Sequence, residues 1–485
     1  MRSDGAAWVV LVAISLALGF HPLVDLDLGW HLAGGIAMFE QGAVLWDDPL
    51  SSGVSEWINY SWLPDLLFVA VYRLGGFEWL RLLQWILALL SIAALFVAVR
   101  GRLQSSTLQA ESASLTALLT VVLTLPFLAP FWQLRPQLLS VVLFTAVLSL
   151  LEQRRLGFRL ALLLSVFWSA CHVYWILVPL PWLLYRTPTR RALLRAVSEA
   201  SILFAAGMLS PYGVANLKPV AEYAFSHRVG YLLIDEFQPL LGAPFEAVCF
   251  GLAVLGVLWS WGNRTDERRL KLLLLLLGLA AVLQRKYLPL FGVVWALLIA
   301  VRIGRGLVTK QLVSVSLPRR ERFASGASCV FLLAVLFTLP RTPPLAPRFL
   351  ELLELMHDPM VERALQAAPN PTTFNHFDDG GWLAFASASG SKELRFRTTI
   401  DGRTLVAGPI RLAEFYQLVS GDDLDRCAIF KRWGGTIGVA PRQSNSFDRL
   451  FRRDEVGNPV LPCLVERRWE VLRRGRYYDI WGISG

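Results

Sequence analysis

The sequence predicts an α-helical membrane protein of about eleven spanning helices, followed by a C-terminal extracytoplasmic domain of α/β or α+β class. Of 485 residues, 55% are hydrophobic and only 17% are charged, whereas a soluble globular protein carries about 25% charged residues. The apolar residues collect in long runs such as WILALLSIAALFVAV and LKLLLLLLGLAAVL, which stop near Pro340. We therefore expect a membrane domain over 1–340 and a second domain over 341–485.

Each predicted span is an apolar run bounded by charged or Pro-containing breaks. In order, the runs cover 6–24, 79–99, 113–131, 137–152, 160–173, 174–185, 198–212, 244–262, 270–284, 287–303 and 324–340. A large first outer loop covers 25–78. Within it, the apolar stretch 62–76 carries Asp65 and Arg73 and is expected to lie along or dip into the membrane surface.

The net charge of +10 marks topology rather than an acidic ligand. Basic and acidic residues nearly balance in 341–485, so the excess lies in the membrane part, and no basic stripe or nucleic-acid motif accompanies it. Arginines accumulate on alternate short loops when the N-terminus is cytoplasmic. This orientation places the C-terminal domain outside and excludes nucleic acid as a partner.

The first outer loop begins DLDLGWHLAGG, with Asp25 and Asp27 at the end of the first span. A carboxylate at the membrane edge is costly unless it is paired or binds a ligand. Together with His31 one turn later, the pair could bind a divalent cation or supply a general base. The alternative is structural, with Asp27 capping the helix that follows. Asp47 and Asp48, before Pro49, fit turn chemistry better.

Further polar residues occur in the other outer segments. Arg135 in LRPQ, and Arg285 with Lys286 in QRKYLP, could clamp a phosphate, with lipid-headgroup anchoring as the alternative. His172 in WSACHVYW fits a packing role at least as well as substrate contact. Glu236, in IDEFQP, offers a second acid whose ionisation depends on burial.

The five cysteines show no metal-binding spacing. Cys427 and Cys463 both lie in the domain expected outside, where a disulfide is permitted. The sequence leaves open whether the two thiols meet.

Taken together, DLDLGWHLAGG, WINYSWL, LRPQ, SPYG, IDEFQP, QRKYLPLF, NHFDDGGWLAF and TIDGR resemble the GT-C superfamily of integral-membrane glycosyltransferases, in particular its uncharacterised bacterial members. The resemblance covers nearly the whole chain. It implies transfer of a hexosyl or pentosyl sugar from a polyprenyl-phosphate donor to a glycan, lipid or protein acceptor on the outer face of a bacterial inner membrane. Asp25 and Asp27 then match the essential acidic pair, and Glu236 matches the later acid.

From the residues themselves we expect substrate contacts at His31, Arg135, His172, Arg285 and Lys286, and a divalent cation, Mg or Mn, at Asp25 and Asp27. Two positions depart from the family pattern. Gly29 stands where relatives carry an aromatic residue, and an Asn is absent before His172. Either departure is compatible with an altered substrate or with lost activity.

Two other classes compete with the enzyme. A transporter or flippase for a lipid-linked or polar solute would place charged residues in mid-span and break helices at paired positions. A non-catalytic scaffold related to the glycosyltransferases would only bind partners through its exported domain. The polar residues gather in outer segments, which favours the enzyme.

Overall fold

A computed structural model describes residues 2–53, 56–105, 110–186, 190–225, 237–259, 267–309, 342–420, 422–442, 451 and 461–483. These residues are mostly helical. The helices are α1 (Arg2–Gly19), α2 (Leu28–Gln41), α3 (Trp62–Ser105), α4 (Ala110–Leu128), α5 (Pro136–Glu152), α6 (Phe158–Cys171), α7 (Pro179–Arg186), α8 (Arg190–Ala206), α9 (Leu217–Phe225), α10 (Pro244–Trp259), α11 (Arg268–Leu283), α12 (Leu288–Thr309), α13 (Pro347–Met356), α14 (Pro359–Gln366), α15 (Gly380–Ser389), α16 (Thr404–Ser420), α17 (Asp423–Trp433) and α18 (Pro462–Glu466).

The chain divides into two compact units. The helical unit comprises Met1–Pro22, Glu78–Gly213 and Ile234–Thr342, and the mixed unit comprises Leu23–Phe77, Val214–Leu233 and Pro343–Gly485. We had assigned the first outer loop to the membrane domain, whereas these units group it with the C-terminal region. Backbone bonds explain the grouping, because Leu23 exchanges hydrogen bonds with Pro344 and Ala346 at 2.8 and 3.0 Å.

The helical unit has an apolar core in which α12 packs against α4 and α11. Among the residues that the structure describes, three helices are long and apolar enough to cross a membrane, over Trp62–Gln104, Ser112–Phe131 and Arg285–Arg305. Five shorter apolar helices coincide with predicted spans, over Gly5–Gly19, Pro136–Glu152, Phe158–Cys171, Val173–Tyr185 and Pro244–Leu258. The predicted span 324–340 lies outside the described residues, so the count of eleven stays a prediction.

α3 joins the predicted surface stretch 62–76 to the predicted span 79–99 as one element with a break. The break falls at Gly75 and Gly76, whose backbones are not helical. Gly76 has φ of +65°, which is sterically costly for a side chain with a Cβ. The break coincides with the boundary between the two units after Phe77.

The mixed unit contains a five-stranded sheet of order β2-β1-β3-β5-β4. Its strands are β1 (Thr372–Asn375), β2 (Arg397–Thr398), β3 (Ile437–Pro441), β4 (Trp469–Arg474) and β5 (Tyr478–Ile483). β1 pairs in parallel with β2 and β3, and β5 runs antiparallel to β3 and β4. The predicted C-terminal domain with strands is confirmed.

The first outer loop extends this sheet beyond β2. The Ser52 amide donates to the Thr398 carbonyl at 2.8 Å, and the Thr398 amide donates to the Leu50 carbonyl at 2.9 Å. The buried helix α15 packs on α2 and α13. The mixed unit is therefore assembled from segments more than 300 residues apart in the chain.

Candidate functional site

The predicted acidic pair lies just before α2, with its two carboxylates in different surroundings. Asp25 is buried, its Oδ1 accepts from the Asp27 amide at 2.8 Å, and its carbonyl accepts from the Trp382 indole at 3.0 Å. Asp27 is only half-buried. It occupies the N-cap position of α2, but its side chain makes no capping hydrogen bond, so the capping alternative does not explain this carboxylate.

Glycines bring the backbone close to Asp27. A Cβ built on Gly402 would lie 2.5 Å from Asp27 Oδ1 and 3.5 Å from Trp30 Nε1. A Cβ on Gly29 would lie less than 3.0 Å from the Gly381 backbone, a distance that real Cβ atoms do not adopt. The departure from the family pattern at Gly29 is therefore a packing requirement of the α2–α15 contact, since an aromatic side chain would not fit there.

His31 belongs to a buried polar chain rather than to an open pocket. Its Nδ1 lies 2.5 Å from Asp65 Oδ1, and the Asn59 amide donates to Asp65 Oδ2 at 2.7 Å. Asn59 Oδ1 in turn accepts from the backbone and hydroxyl of Ser61, each at 3.1 Å. Asp65 thus orients the imidazole, as a carboxylate orients a histidine in many enzymes. Nothing in the sequence indicated that His31 pairs with Asp65.

A second buried network links the first outer loop to the TIDGR segment. Arg403 binds both oxygens of Asp48 at 2.9 and 3.0 Å and Asp401 Oδ2 at 2.6 Å, and Asp48 also accepts from Ser51 Oγ. Burial opposes the charge on Arg403, but the two carboxylates outweigh burial and raise its pKa. The turn role predicted for Asp48 is present, since its Oδ1 accepts from the Leu50 amide at 3.0 Å. Its pairing with Arg403 adds an ionic network that the sequence did not indicate.

Aromatic rings contact both networks. The Trp30 ring lies 3.5 Å from the His31 ring and 6.2 Å from the Trp57 ring, centroid to centroid. The Arg403 guanidinium lies 4.3 Å from the centroid of Trp57. Trp30 Nε1 is buried and has no hydrogen-bond partner among the described residues, so an indole donor is left beside Asp27.

The NHFDDGGW segment supplies a third buried carboxyl at the start of α15. Asp379 Oδ1 accepts from the Tyr478 hydroxyl at 2.8 Å, while Oδ2 is buried and has no hydrogen-bond partner among the described residues. Burial raises the pKa of Asp379 although the nearby His376 lowers it. Burial, together with the Asp379 charge, also raises the pKa of Tyr478. Burial therefore disfavours the charged form of Asp379, whereas His376 and the Tyr478 hydrogen bond favour it.

The predicted contacts other than His31, namely Arg135, His172, Arg285 and Lys286, lie in the helical unit. Gln137, two residues after Arg135, donates to the Lys286 carbonyl at 3.0 Å. The Tyr174 hydroxyl lies 3.4 Å from the same carbonyl, and the His172 ring lies 4.4 Å from the Tyr174 ring. The structure thus brings LRPQ, HVYW and QRKY together, as expected if they form one site.

The two predicted phosphate ligands of QRKY have protein contacts already. Arg285 forms an ion pair with Glu246 at 2.9 Å. Lys286 is buried, with its Nζ 4.1 Å from the centroid of the Phe237 ring. A phosphate at this turn would therefore compete with Glu246 for the guanidinium.

Two predictions remain open after the site is described. Glu236 lies outside the described residues. Within the part of the chain that is described, no three His, Cys, Asp or Glu side chains form a group that could hold a metal ion. The assignment of a divalent cation to Asp25 and Asp27 stays a prediction.

The disulfide that the sequence left open is present. Cys427 in α17 and Cys463 in α18 are bonded, with Sγ atoms 2.09 Å apart and Cα atoms 5.5 Å apart. The bridge joins two short helices of the mixed unit.

Comparison by fold gives solved structures with similar architecture. Apo oligosaccharyltransferase from Archaeoglobus fulgidus has a TM-score of 0.60 and 10% identity, over 90% of this chain and 69% of that one. Oligosaccharyltransferase AglB from the same organism, with an inhibitory peptide and a dolichol-phosphate, has a TM-score of 0.59 and 11% identity over the same shares. The complex with Zn and sulfate has a TM-score of 0.57 and 11% identity, over 91% and 68%.

At these identities the comparison establishes a shared fold and no more. No protein-family model matches the chain, and no curated protein matches it by sequence. The chain therefore shares the fold of these oligosaccharyltransferases.

Proposed function

We propose that this protein is a membrane glycosyltransferase that transfers a sugar from a polyprenyl-phosphate-linked donor to an acceptor on the outer face of the membrane. The proposal draws on a fold that matches oligosaccharyltransferases over nine-tenths of the chain, including one solved with a dolichol-phosphate. It also draws on the motifs that resemble the GT-C superfamily.

The observation that carries the proposal is the position of Asp27. Four other carboxylates around it, those of Asp25, Asp48, Asp65 and Asp401, are buried, while Asp27 is half-buried. The four buried carboxylates make internal hydrogen bonds or ion pairs. A Cβ on Gly402 would lie only 2.5 Å from Asp27 Oδ1, so glycine at this position lets the backbone pack directly against the Asp27 carboxylate. A carboxylate held by a buried polar frame and partly open to solvent is suited to proton abstraction.

The chemistry follows from this geometry. Asp27 accepts the proton of the acceptor hydroxyl while that oxygen forms a bond to the anomeric carbon. The bond between the anomeric carbon and the lipid phosphate breaks, and the electron pair leaves with the phosphate. The buried indole N–H of Trp30, beside Asp27, is available to a substrate oxygen. Arg135, Arg285 and Lys286 are our candidates for stabilising the departing phosphate charge.

A divalent cation at this site would draw on the pair unequally. Asp25 is turned into the fold by its bond to the Asp27 amide, so Asp27 would contribute the more accessible oxygens. Further ligands would come from the substrate. The cation would supply a Lewis acid for the phosphate charge.

The proposed orientation, with the mixed unit outside, has separate support. The bond between Cys427 and Cys463 is of a kind that persists in oxidising compartments. The concentration of arginines on alternate loops supports the same orientation.

The test is transfer of labelled sugar by purified protein in detergent, with a panel of polyprenyl-phosphate sugars and with mixed glycan, lipid and peptide acceptors. We expect Asp27→Asn to abolish transfer, by at least about 100-fold, because it removes the base. Asp47→Asn is the matched control, since Asp47 is exposed in the same loop and should retain the wild-type rate.

Equal rates for Asp27→Asn and wild type would exclude Asp27 as the base. If folded wild-type protein transferred sugar from no donor in the panel, the glycosyltransferase assignment would be wrong. A transporter or a non-catalytic scaffold would then be the better assignment.

A further inference from the structure

An open cavity of about 440 Å³ lies in the helical unit, away from every residue assigned above to sugar transfer. It is bounded by the start of α1, the end of α3 and the turn after α5. Its main lining residues are Trp8, Phe96, Val97, Arg100, Gln153 and Arg155. All three elements meet there with the ends that the arginine distribution predicts to be cytoplasmic.

One side of the cavity is cationic. Arg100 and Arg155 both line it, and the Arg155 side chain is exposed. The neighbouring Arg102 does not line the cavity and pairs with Glu152. Gln153 also lines the cavity, and its side-chain amide donates to Ser149 Oγ at 3.0 Å, which orients the amide. Guanidinium and amide groups are preferred donors to phosphate oxygens.

The other side of the cavity is apolar and open. Trp8 and Phe96 pack edge to face with ring centroids 5.4 Å apart. Trp8 and Val97 are 39% and 46% exposed, although both belong to predicted spans. Rings and aliphatic side chains exposed on apolar helices lie against acyl chains in a bilayer, and indoles favour the headgroup level.

We propose that this cavity binds the headgroup phosphate of an anionic glycerophospholipid, with one acyl chain along Trp8 and Val97. A free inorganic anion would use only the arginine side and would leave the apolar wall in water. A zwitterionic lipid would bring the positively charged group of its headgroup towards two arginines. The combination of cationic and apolar walls selects an anionic lipid, consistent with basic pockets between membrane helices. This inference does not depend on the proposed glycosyltransferase activity.

The test uses the full-length protein, purified and depleted of lipid in detergent. Binding is measured by native mass spectrometry and by the shift in unfolding temperature, with phosphatidylglycerol, phosphatidylcholine and inorganic phosphate as the three probes. We expect phosphatidylglycerol to bind and to raise the unfolding temperature. Combined Arg100→Gln and Arg155→Gln substitutions should weaken it at least about tenfold, because two charge-assisted contacts are lost.

Two controls make the result specific to the cavity. Arg159→Gln removes an exposed charge four residues beyond Arg155 that does not line the cavity, and it should leave phosphatidylglycerol binding unchanged. Should the double variant fail to fold, Arg155→Gln alone changes only an exposed side chain and should weaken binding about threefold or more.

Three results would overturn the proposal. Equal binding of phosphatidylcholine would mean that the arginine charges are not used. Inorganic phosphate binding as strongly as phosphatidylglycerol would make the cavity a free-anion site. An equal loss of binding in Arg159→Gln would mean a diffuse surface-charge effect.

Discussion

The two units of this chain differ in how many carboxylates they bury. In the mixed unit, Asp25, Asp48, Asp65, Asp379 and Asp401 are all buried and are held by hydrogen bonds or by Arg403. In the helical unit, the buried carboxylate among the described residues is Glu267, which pairs with Lys271 and Arg302. Other pairs lie near helix ends, as Arg102–Glu152 and Arg285–Glu246 do.

This difference indicates which unit depends on a polar core. An apolar helical core needs few internal charges, and those present can be held where helices begin or end. A domain that assembles two distant loops around buried carboxylates depends on every partner, because removing one leaves an uncompensated charge. The mixed unit should therefore be the more sensitive to single polar substitutions.

The strongest test of this contrast is Arg403→Gln. It leaves Asp48 and Asp401 buried without their cation, and we expect a loss of about 3–5 kcal/mol in the free energy of unfolding. Arg395→Gln is the matched control, because its pair with Glu40 is partly exposed and should contribute no more than about 1 kcal/mol. Denaturant unfolding in detergent compares them, and equal losses would contradict the contrast.

A smaller effect is expected at the contact between α2 and α15. Gly29→Ala places a methyl group against the Gly381 backbone and should cost about 1–3 kcal/mol through overpacking. Gly256→Ala, in α10, meets open space and should be neutral or slightly stabilising. Thermal unfolding distinguishes the two variants. A Gly29→Ala protein as stable as wild type would mean that the helices separate without cost.

The pH dependence of stability tests the buried acid of α15. Because burial raises the pKa of Asp379, the folded chain holds this proton more tightly than the unfolded chain does. Stability should therefore fall as pH rises from about 4, the ordinary Asp pKa, through the raised value. Unfolding temperature measured from pH 4 to pH 8 should fall less for Asp379→Asn than for wild type.

Removing the Tyr478 hydroxyl should change the pH profile in the direction opposite to Asp379→Asn. Tyr478→Phe removes the donor to Asp379, so it should cost about 1–3 kcal/mol near pH 8 and steepen the fall with pH. Tyr477→Phe, which removes the hydroxyl of the half-buried neighbouring residue and keeps the Tyr478 hydrogen bond to Asp379, serves as the control. A flat wild-type profile in this range would contradict a raised pKa at Asp379.

The smallest effect on stability is expected for Arg285→Gln in the helical unit. Its pair with Glu246 is partly exposed and should contribute about 1 kcal/mol or less. If Arg285 stabilises the departing phosphate, however, the same variant should lose sugar transfer while staying folded. A stability loss as large as that of Arg403→Gln would remove the contrast between the units.

Much of the fold could be predicted from the sequence because membrane helices are encoded locally. An apolar run of sufficient length has to be helical in a bilayer, so α4, α5, α6 and α10 coincide with predicted spans. The acidic pair Asp25 and Asp27 was likewise visible, because both carboxylates follow an apolar run directly. Their shared backbone contact, and the different burial of the two, were not visible.

The rest of the site could not be predicted because its partners are distant in the chain. Asp48 precedes Pro49 and looks like turn chemistry, yet its charge is balanced by Arg403, 355 residues later. Asp65 lies in an apolar stretch, which was the one signal that it needed a partner, but nothing in the sequence identified His31 as that partner. Gly402 is ordinary in a TIDGR turn until the Asp27 oxygen lies against it.

The sequence alone therefore determined the helical class and the presence of a separate C-terminal region, and it predicts the spans and their orientation. Apolar runs and arginine distribution act through the bilayer, which responds to each segment independently of its neighbours. Only the tertiary structure decided that 23–77 joins 343–485 in one compact unit, and which carboxylates are buried. Burial and ion pairing depend on three-dimensional contacts between distant segments, and these contacts determine which acid is left half-exposed for chemistry.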